Sequence, residues 1–240
     1  MSFYSSIANY YDRIFPLSEA QLNFVINKLN PIKSKTILEV GSGTGNLALA
    51  LAEKEATVSG IDISDDMIDI AKGKIQSTFD IKFQNLNMLD IQSRFMKNSL
   101  DAIICFGNTL VHLQNLEEVK SFITKTRLLL NNEGSLLLQI VNYDWVLDNK
   151  IDSLPTIEND FIKFERNYVY ENNKIVFNTN LYIKETDTVL NNSETLLALR
   201  QKELVNLLKD HLFSKIECYG NFKKTEISSN SKGLIILAKI

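Results

Sequence analysis

The chain has 240 residues and a formal net charge of −3, with 45% hydrophobic and 23% charged residues. This length closes one large α/β domain, or a domain with a sizeable insertion. The slightly acidic balance, with no dense Lys/Arg tract, gives no electrostatic reason to expect a nucleic-acid or anionic-membrane partner.

Residues 1–17 are aromatic-rich, and Ser18–Leu29 places Leu22, Val25, Ile26 and Leu29 on one helical face. Strand and helix signals then alternate. "KTILEV" reads as a strand and Asn46–Lys54 as a helix. "ATVSGID" reads as the second strand, and Ser64 caps a helix from Asp65 to about Ile75, with acidic residues in its first turn. "DIKFQNL" and "LDAIICFG" are the third and fourth strands, Leu116–Leu130 a helix, and "GSLLLQIVN" the fifth strand. This β-α alternation implies right-handed crossovers and a mostly parallel sheet. After residue 145 the pattern changes. "FIKFERNYVY", "ENNK" and "IVFNTNLYIK" read as two alternating strands around a turn, with Thr188–Leu199 as a candidate third strand. Gln201–Lys209 is helical, and "KIECYGNF" and "GLIILAKI" form a terminal hairpin. No run approaches the ~18 apolar residues of a membrane span. No signal-peptide pattern is present, so the expected compartment is the cytoplasm. Cys105 and Cys218 lie in apolar runs and read as reduced core residues. The two histidines are far apart, so no metal site is expected.

The chain has only nine glycines, yet Gly41, Gly43 and Gly45 alternate between the first strand and its helix. Such a turn needs positive φ, and it lets backbone N–H groups approach a ligand at a helix N-terminus. Asp62 ends the second strand, about twenty positions on, where an acid can take both ribose hydroxyls of a nucleoside. In isolation Asp62 also reads as a helix cap beside Ser64. The run "GTGNLA" matches a dinucleotide pattern, which keeps an NAD-dependent oxidoreductase as an alternative, beside a non-catalytic nucleoside-binding module. Against NAD stand the longer E-x-G-x-G-x-G arrangement from Glu39 to Gly45, the helix ahead of the first strand, and the terminal hairpin.

With "LEVGSGTG" and "GIDISDDMIDIAK" in view, the sequence resembles the class I S-adenosylmethionine-dependent methyltransferases. "LDAIICFGNTLVHL", followed by "NYDWVL", is similar to glycine N-methyltransferase and its relatives. The resemblance implies a doubly wound, mostly parallel seven-stranded sheet whose last strand is antiparallel. It divides the chain into a Rossmann-like domain, residues 1–145 and 201–240, and an inserted antiparallel β lid, residues 146–200. It implies S-adenosyl-L-methionine as cofactor. Gly41 and Gly43 would pass its methionine portion with support from Glu39, and Asp62 would hold the ribose. Ile63 and Met67 would pack the adenine, while also reading as plain core. Asn87 would accept from the adenine amine, the Met88 backbone would meet a ring nitrogen, and the Phe106 carbonyl would meet the methionine amine. Tyr11 would close over the cofactor, or else simply staple the N-terminal segment.

The expected reaction is direct in-line methyl transfer to a small-molecule acceptor, accelerated by positioning and exclusion of water. Asn108 and Asn142 are candidate substrate contacts. His112 is a weak candidate base, or a polar residue leading into a helix. Where the glycine enzymes carry an arginine that clamps the carboxylate, this chain has Val141, so glycine is an improbable acceptor. Arg166 lies on the Ile162, Phe164, Tyr168, Tyr170 face of the insertion and is the alternative cation, or a snorkelling arginine over aromatics. Tyr4 and Tyr11 are expected to face the pocket from a lid formed by residues 3–15 and the insertion. The insertion's apolar face is otherwise a dimer interface, and the expected state is monomer or homodimer.

Overall fold

Apolar runs fix the central sheet. The computed structural model describes residues 6–171 and 174–240. β1 (Thr36–Val40), β2 (Thr57–Asp62), β3 (Ile81–Asn85), β4 (Leu100–Cys105) and β5 (Leu130–Val141) form the parallel portion. β4 reads LDAIIC and buries all but one residue, as a parallel strand covered on both faces must. The covering helices are α1 (Tyr11–Ile14), α2 (Glu19–Lys28), α3 (Asn46–Glu53), α4 (Asp65–Gly73), α5 (Leu116–Leu129), α6 (Tyr143–Asp148) and α7 (Gln201–Asp210). Ser18 and Ser64 cap α2 and α4, their hydroxyls accepting from the Gln21 and Met67 amides.

The terminal hairpin is β10 (Lys215–Tyr219) and β11 (Gly233–Lys239). β11 inserts between β10 and β5, antiparallel to both, which gives the order β10-β11-β5-β4-β1-β2-β3. The doubly wound seven-stranded sheet with an antiparallel last strand is therefore as expected. Cys105 is buried as read, whereas Cys218, on the edge strand β10, is only half-buried.

The insertion is a four-stranded antiparallel sheet of β6 (Ser153–Glu158), β7 (Ile162–Glu171), β8 (Lys174–Ile183) and β9 (Thr188–Leu196). β9 is the anticipated third strand. β6 was not anticipated, because Pro155 interrupts it. As an edge strand it tolerates the proline, and its pairing with β7 shifts register between Leu154 and Ile157. Two boundaries also differ. β5 begins at Leu130, which pairs with Leu100 ahead of a register shift. β5 also ends at Val141 rather than Asn142, because Asn142 caps α6, its side chain accepting from the Asp144 amide at 3.2 Å.

The insertion buries its apolar face within the chain. Ile162, Phe164, Leu181 and Ile183 pack with Ile7, Ile14 and Met67. Tyr168, Ile175 and Leu196 join the main core. Tyr170 ends the expected face but is 42% exposed rather than covered, and its hydroxyl donates to the Val146 and Ile151 carbonyls. Tyr4 and the turn residues Asn172 and Asn173 lie outside the described residues.

Candidate active site

The glycine loop leaves β1 with Gly41 at φ +70° and Gly43 at φ +52°, values that side-chain-bearing residues rarely adopt. A Cβ on Gly41 would lie 2.5 Å from the Thr109 side chain, and one on Gly43 would lie 3.0 Å from the Tyr11 ring. The loop is thus a cradle closed over by two side chains. One oxygen of Asp62 accepts from the Gly43 amide at 2.9 Å and the other from the Ser64 amide at 3.0 Å. Burial pushes the Asp62 carboxyl above its usual value, and the Ser64, Gly43 and Ile63 amides oppose that rise. The cap of α4 is Ser64 itself, so Asp62 is not needed for that purpose.

Asp62 opens on a cavity of about 250 Å³ that also includes Ile63, Met67, Met88 and Gln114. Ile63 is 65% exposed and Met67 1% exposed. Ile63 is therefore an apolar side chain at the mouth rather than core, while Met67 is core and wall at once. Asn87 is exposed at the rim, outside the lining. Its side chain accepts from the Leu89 amide at 2.8 Å and caps a short 3-10 turn.

A second cavity, of about 440 Å³, includes Glu39, Phe106, Asn108, Val141, Arg166 and Tyr168 in its walls. Glu39 is 6% exposed, and its Oε2 has no hydrogen-bond partner. Burial pushes its carboxyl up to about 8, against a bond from the Ala48 amide and with added repulsion from Asp62. An orphaned buried carboxylate oxygen beside a glycine cradle suits a cationic group. Tyr11, Gly41, Gly107 and His112 line both cavities. Burial pushes the Tyr11 phenol up, reinforced by Asp62, Glu39 and Asp12, so it stays protonated. Burial holds the His112 imidazole below its usual value, against the attraction of Glu194.

Three of the expected contact residues also have partners within the chain. Phe106 lines the larger cavity, and its carbonyl accepts from the Thr109 hydroxyl at 2.8 Å. Asn108 lines the larger cavity, but its amide is tied inward. Its oxygen accepts from the Val141 amide at 2.9 Å and its nitrogen donates to the Tyr143 hydroxyl at 3.2 Å. Asn142 is 2% exposed and belongs to neither cavity; besides capping α6 it donates to the Ser231 carbonyl at 2.8 Å. Its role is to hold α6 and the terminal hairpin together. Glu194 and Thr109 line the smaller cavity and were not anticipated as site residues. Glu194 comes from β9, and only the strand pairing reveals that it faces the body of the chain. Thr109 stood inside the quoted "GNT" motif, but nothing in its spacing showed that it would fold back on Gly41.

Residues 37–134 match the family model described as a methyltransferase domain. A glycine/sarcosine N-methyltransferase of Halorhodospira halochloris is 28% identical over 225 residues, covering 87% of this chain and 76% of that one. A protein of Geobacillus sp. (strain WCH70) is 32% identical over 143 residues, and the matched stretch spans 57% of each chain. Among solved structures, an S-adenosylmethionine-dependent methyltransferase from Clostridium acetobutylicum ATCC 824 aligns with a TM-score of 0.81. That alignment covers 100% of this chain and 99% of that one at 15% identity, and so speaks to the fold. The sheet order and the glycine cradle beside an acidic strand end are those of the class I methyltransferase fold. These matches make residues 37–134 similar to a methyltransferase domain and the fold of the chain similar to that of S-adenosylmethionine-dependent methyltransferases. Nothing in them favours a dinucleotide oxidoreductase. No described helix is long and apolar enough to cross a membrane.

Proposed function

We propose that the chain transfers the sulfonium methyl of S-adenosyl-L-methionine to a nucleophilic atom of a small-molecule acceptor held in the larger cavity. The observation that carries this reading is the shared wall. Tyr11, Gly41, Gly107 and His112 border both cavities, so a nucleoside on the Asp62 side and an acceptor on the Val141 side meet there. Asp62 would hold the ribose hydroxyls, Ile63 and Met67 would pack the adenine, and the Glu39 oxygen would suit the cationic methionine end. When bound, the cofactor would supply an activated methyl group and accept the carbon–sulfur bonding electrons on sulfur as its methyl carbon passed to the acceptor, and the acceptor's proton would need a base.

The chain's own part is positioning, drying and proton acceptance. His112, held below its usual value by burial and sharing the smaller cavity's wall with Glu194, takes the proton. Residues 6–15 and the sheet from residues 146–200 act as a lid, because Tyr11, Phe164 and Tyr168 wall the larger cavity from outside the parallel sheet. The activity belongs to the cytoplasm on this reading. The test is turnover by the purified chain with labelled S-adenosyl-L-methionine against a panel of amines, carboxylic acids and phenols. Tight S-adenosylhomocysteine binding without transfer to any acceptor would instead favour a nucleoside-binding module.

A further inference from the structure

The inserted sheet presents a set of unspent hydrogen-bond donors to the larger cavity. Alternate residues of β7 share one face, so Phe164, Arg166 and Tyr168 point inward together. Arg166 stands opposite Thr179 of β8, and Tyr168 stands opposite Phe177. The Nη2 of Arg166 donates to the Pro155 carbonyl at 2.6 Å, and the guanidinium lies 5.8 Å from the Phe164 ring centroid. Its Nε is buried with no hydrogen-bond partner, as are the Tyr168 hydroxyl and the Thr179 hydroxyl. Tyr168 is 4% exposed and Thr179 2% exposed. Among the described residues Arg166 forms no ion pair, so its charge is uncompensated by the protein.

Buried donors without partners are costly, and a desolvated cation more so. Two of them, on Arg166 and Tyr168 of one sheet face and both in the wall of the larger cavity, make sense as half of an interaction whose other half is a ligand. Burial pushes the Tyr168 phenol up, opposed by Arg166, which keeps it a donor. Leu154, Phe164, Val141 and Phe177 complete this end of the cavity with apolar surface.

We infer that Arg166, with the Tyr168 hydroxyl, reads a carboxylate on the methyl acceptor, and that an apolar body links this carboxylate to the nucleophile. This rests on the methyl-transfer reading above. A carboxylate fits better than a phosphate. The guanidinium offers one positive charge, while Glu39 on the same cavity wall adds negative charge whenever it ionises, so a dianion would be under-compensated.

The test uses the full chain saturated with S-adenosylhomocysteine. Small aliphatic and aromatic carboxylates, each paired with its own amide, and inorganic phosphate are titrated by calorimetry. At least one carboxylate should bind about ten-fold or more tightly than its amide, the scale of a charge-assisted hydrogen bond. Arg166→Gln should erase that preference, Arg166→Lys should restore part of it, and both should leave S-adenosylhomocysteine affinity within about two-fold of wild type, as the cofactor side lies elsewhere. Equal affinity for every acid and amide, or a preference that survives Arg166→Gln, would overturn the inference. Tighter binding of phosphate than of any carboxylate would overturn it too. Because the wild-type comparison needs no variant, a misfolded Arg166→Gln protein does not shield the idea. Failure to bind S-adenosylhomocysteine at all would instead sink the methyl-transfer reading.

Discussion

Asp62 accepts the Gly43 amide at 2.9 Å, so the residue proposed to hold the ribose also fixes the loop that passes the cofactor. Loop shape and nucleoside recognition are coupled through one carboxylate. Asp62→Ala should weaken S-adenosylhomocysteine binding about ten-fold or more, because hydrogen bonds to a charged group contribute about 1.5–3 kcal/mol. Calorimetry on the folded variant is the check, and unchanged affinity would remove Asp62 from the ribose site.

Glu39 ties cofactor binding to pH. Its carboxyl is raised from 4.5 to about 8 by burial, against the Ala48 amide and with help from Asp62. A raised folded-state value means that the folded protein holds this proton more tightly than the unfolded chain does. The associated stability is present below pH 4.5 and is lost as pH rises towards 8. The apo protein should therefore lose thermal stability over that window, and Glu39→Gln should flatten the loss. A cationic ligand favours the ionised form, so S-adenosyl-L-methionine binding near neutral pH should release up to roughly one proton. Calorimetry in buffers of different ionisation enthalpy measures this directly. Zero release in wild type, or equal release from Glu39→Gln, would contradict the assignment.

Much of this was legible in the sequence because it depends on short-range pattern. The alternating glycines, the acid at the end of β2, and the apolar runs of β1 to β5 each carry their own signal. What was missed is long-range or idiosyncratic. Pro155 masked β6, because a proline argues against a strand until its edge position is known. Glu194 has no motif, and it reaches the site only through the β8–β9 register. Asn142 and Asn108 stand within motif-like strings, yet their amides are largely used for capping and tethering. Residue type and spacing gave no means of telling a cap from a ligand contact.

Val141 lines the larger cavity with an aliphatic side chain, and its amide is taken by Asn108. No bidentate carboxylate pair can form at that position. Glycine should accordingly be a poor acceptor, turned over at least roughly ten-fold more slowly than the best acceptor found. Methylation of glycine at a comparable rate would show that another cation serves the same purpose at that distance.

The proposed lid should depend on a clamp at Asp12. Its carboxylate accepts from Thr44, Asn46 and Lys74, which joins the N-terminal segment to the glycine loop and to the end of α4. Burial acts to raise the Asp12 carboxyl, but the bonds from Lys74, Thr44 and Asn46 outweigh it and the net shift is downward. A lowered folded-state value contributes stability above the usual carboxylate range, and that stability is lost as pH falls through the folded value. The clamp should therefore hold at neutral pH and open in acid. Asp12 is partly exposed, so its loss should cost only about 1 kcal/mol. That is enough to speed local opening about five-fold without unfolding the chain. In hydrogen exchange, cofactor plus acceptor should slow residues 6–15 and the β7–β8 strands together, since Phe15 meets Phe164 edge-on at 6.0 Å. Asp12→Asn should raise the exchange rate in residues 6–15 of the apo protein and weaken the ligand-induced slowing. If ligands leave both segments unprotected, the N-terminal segment is a static staple and the lid reading fails.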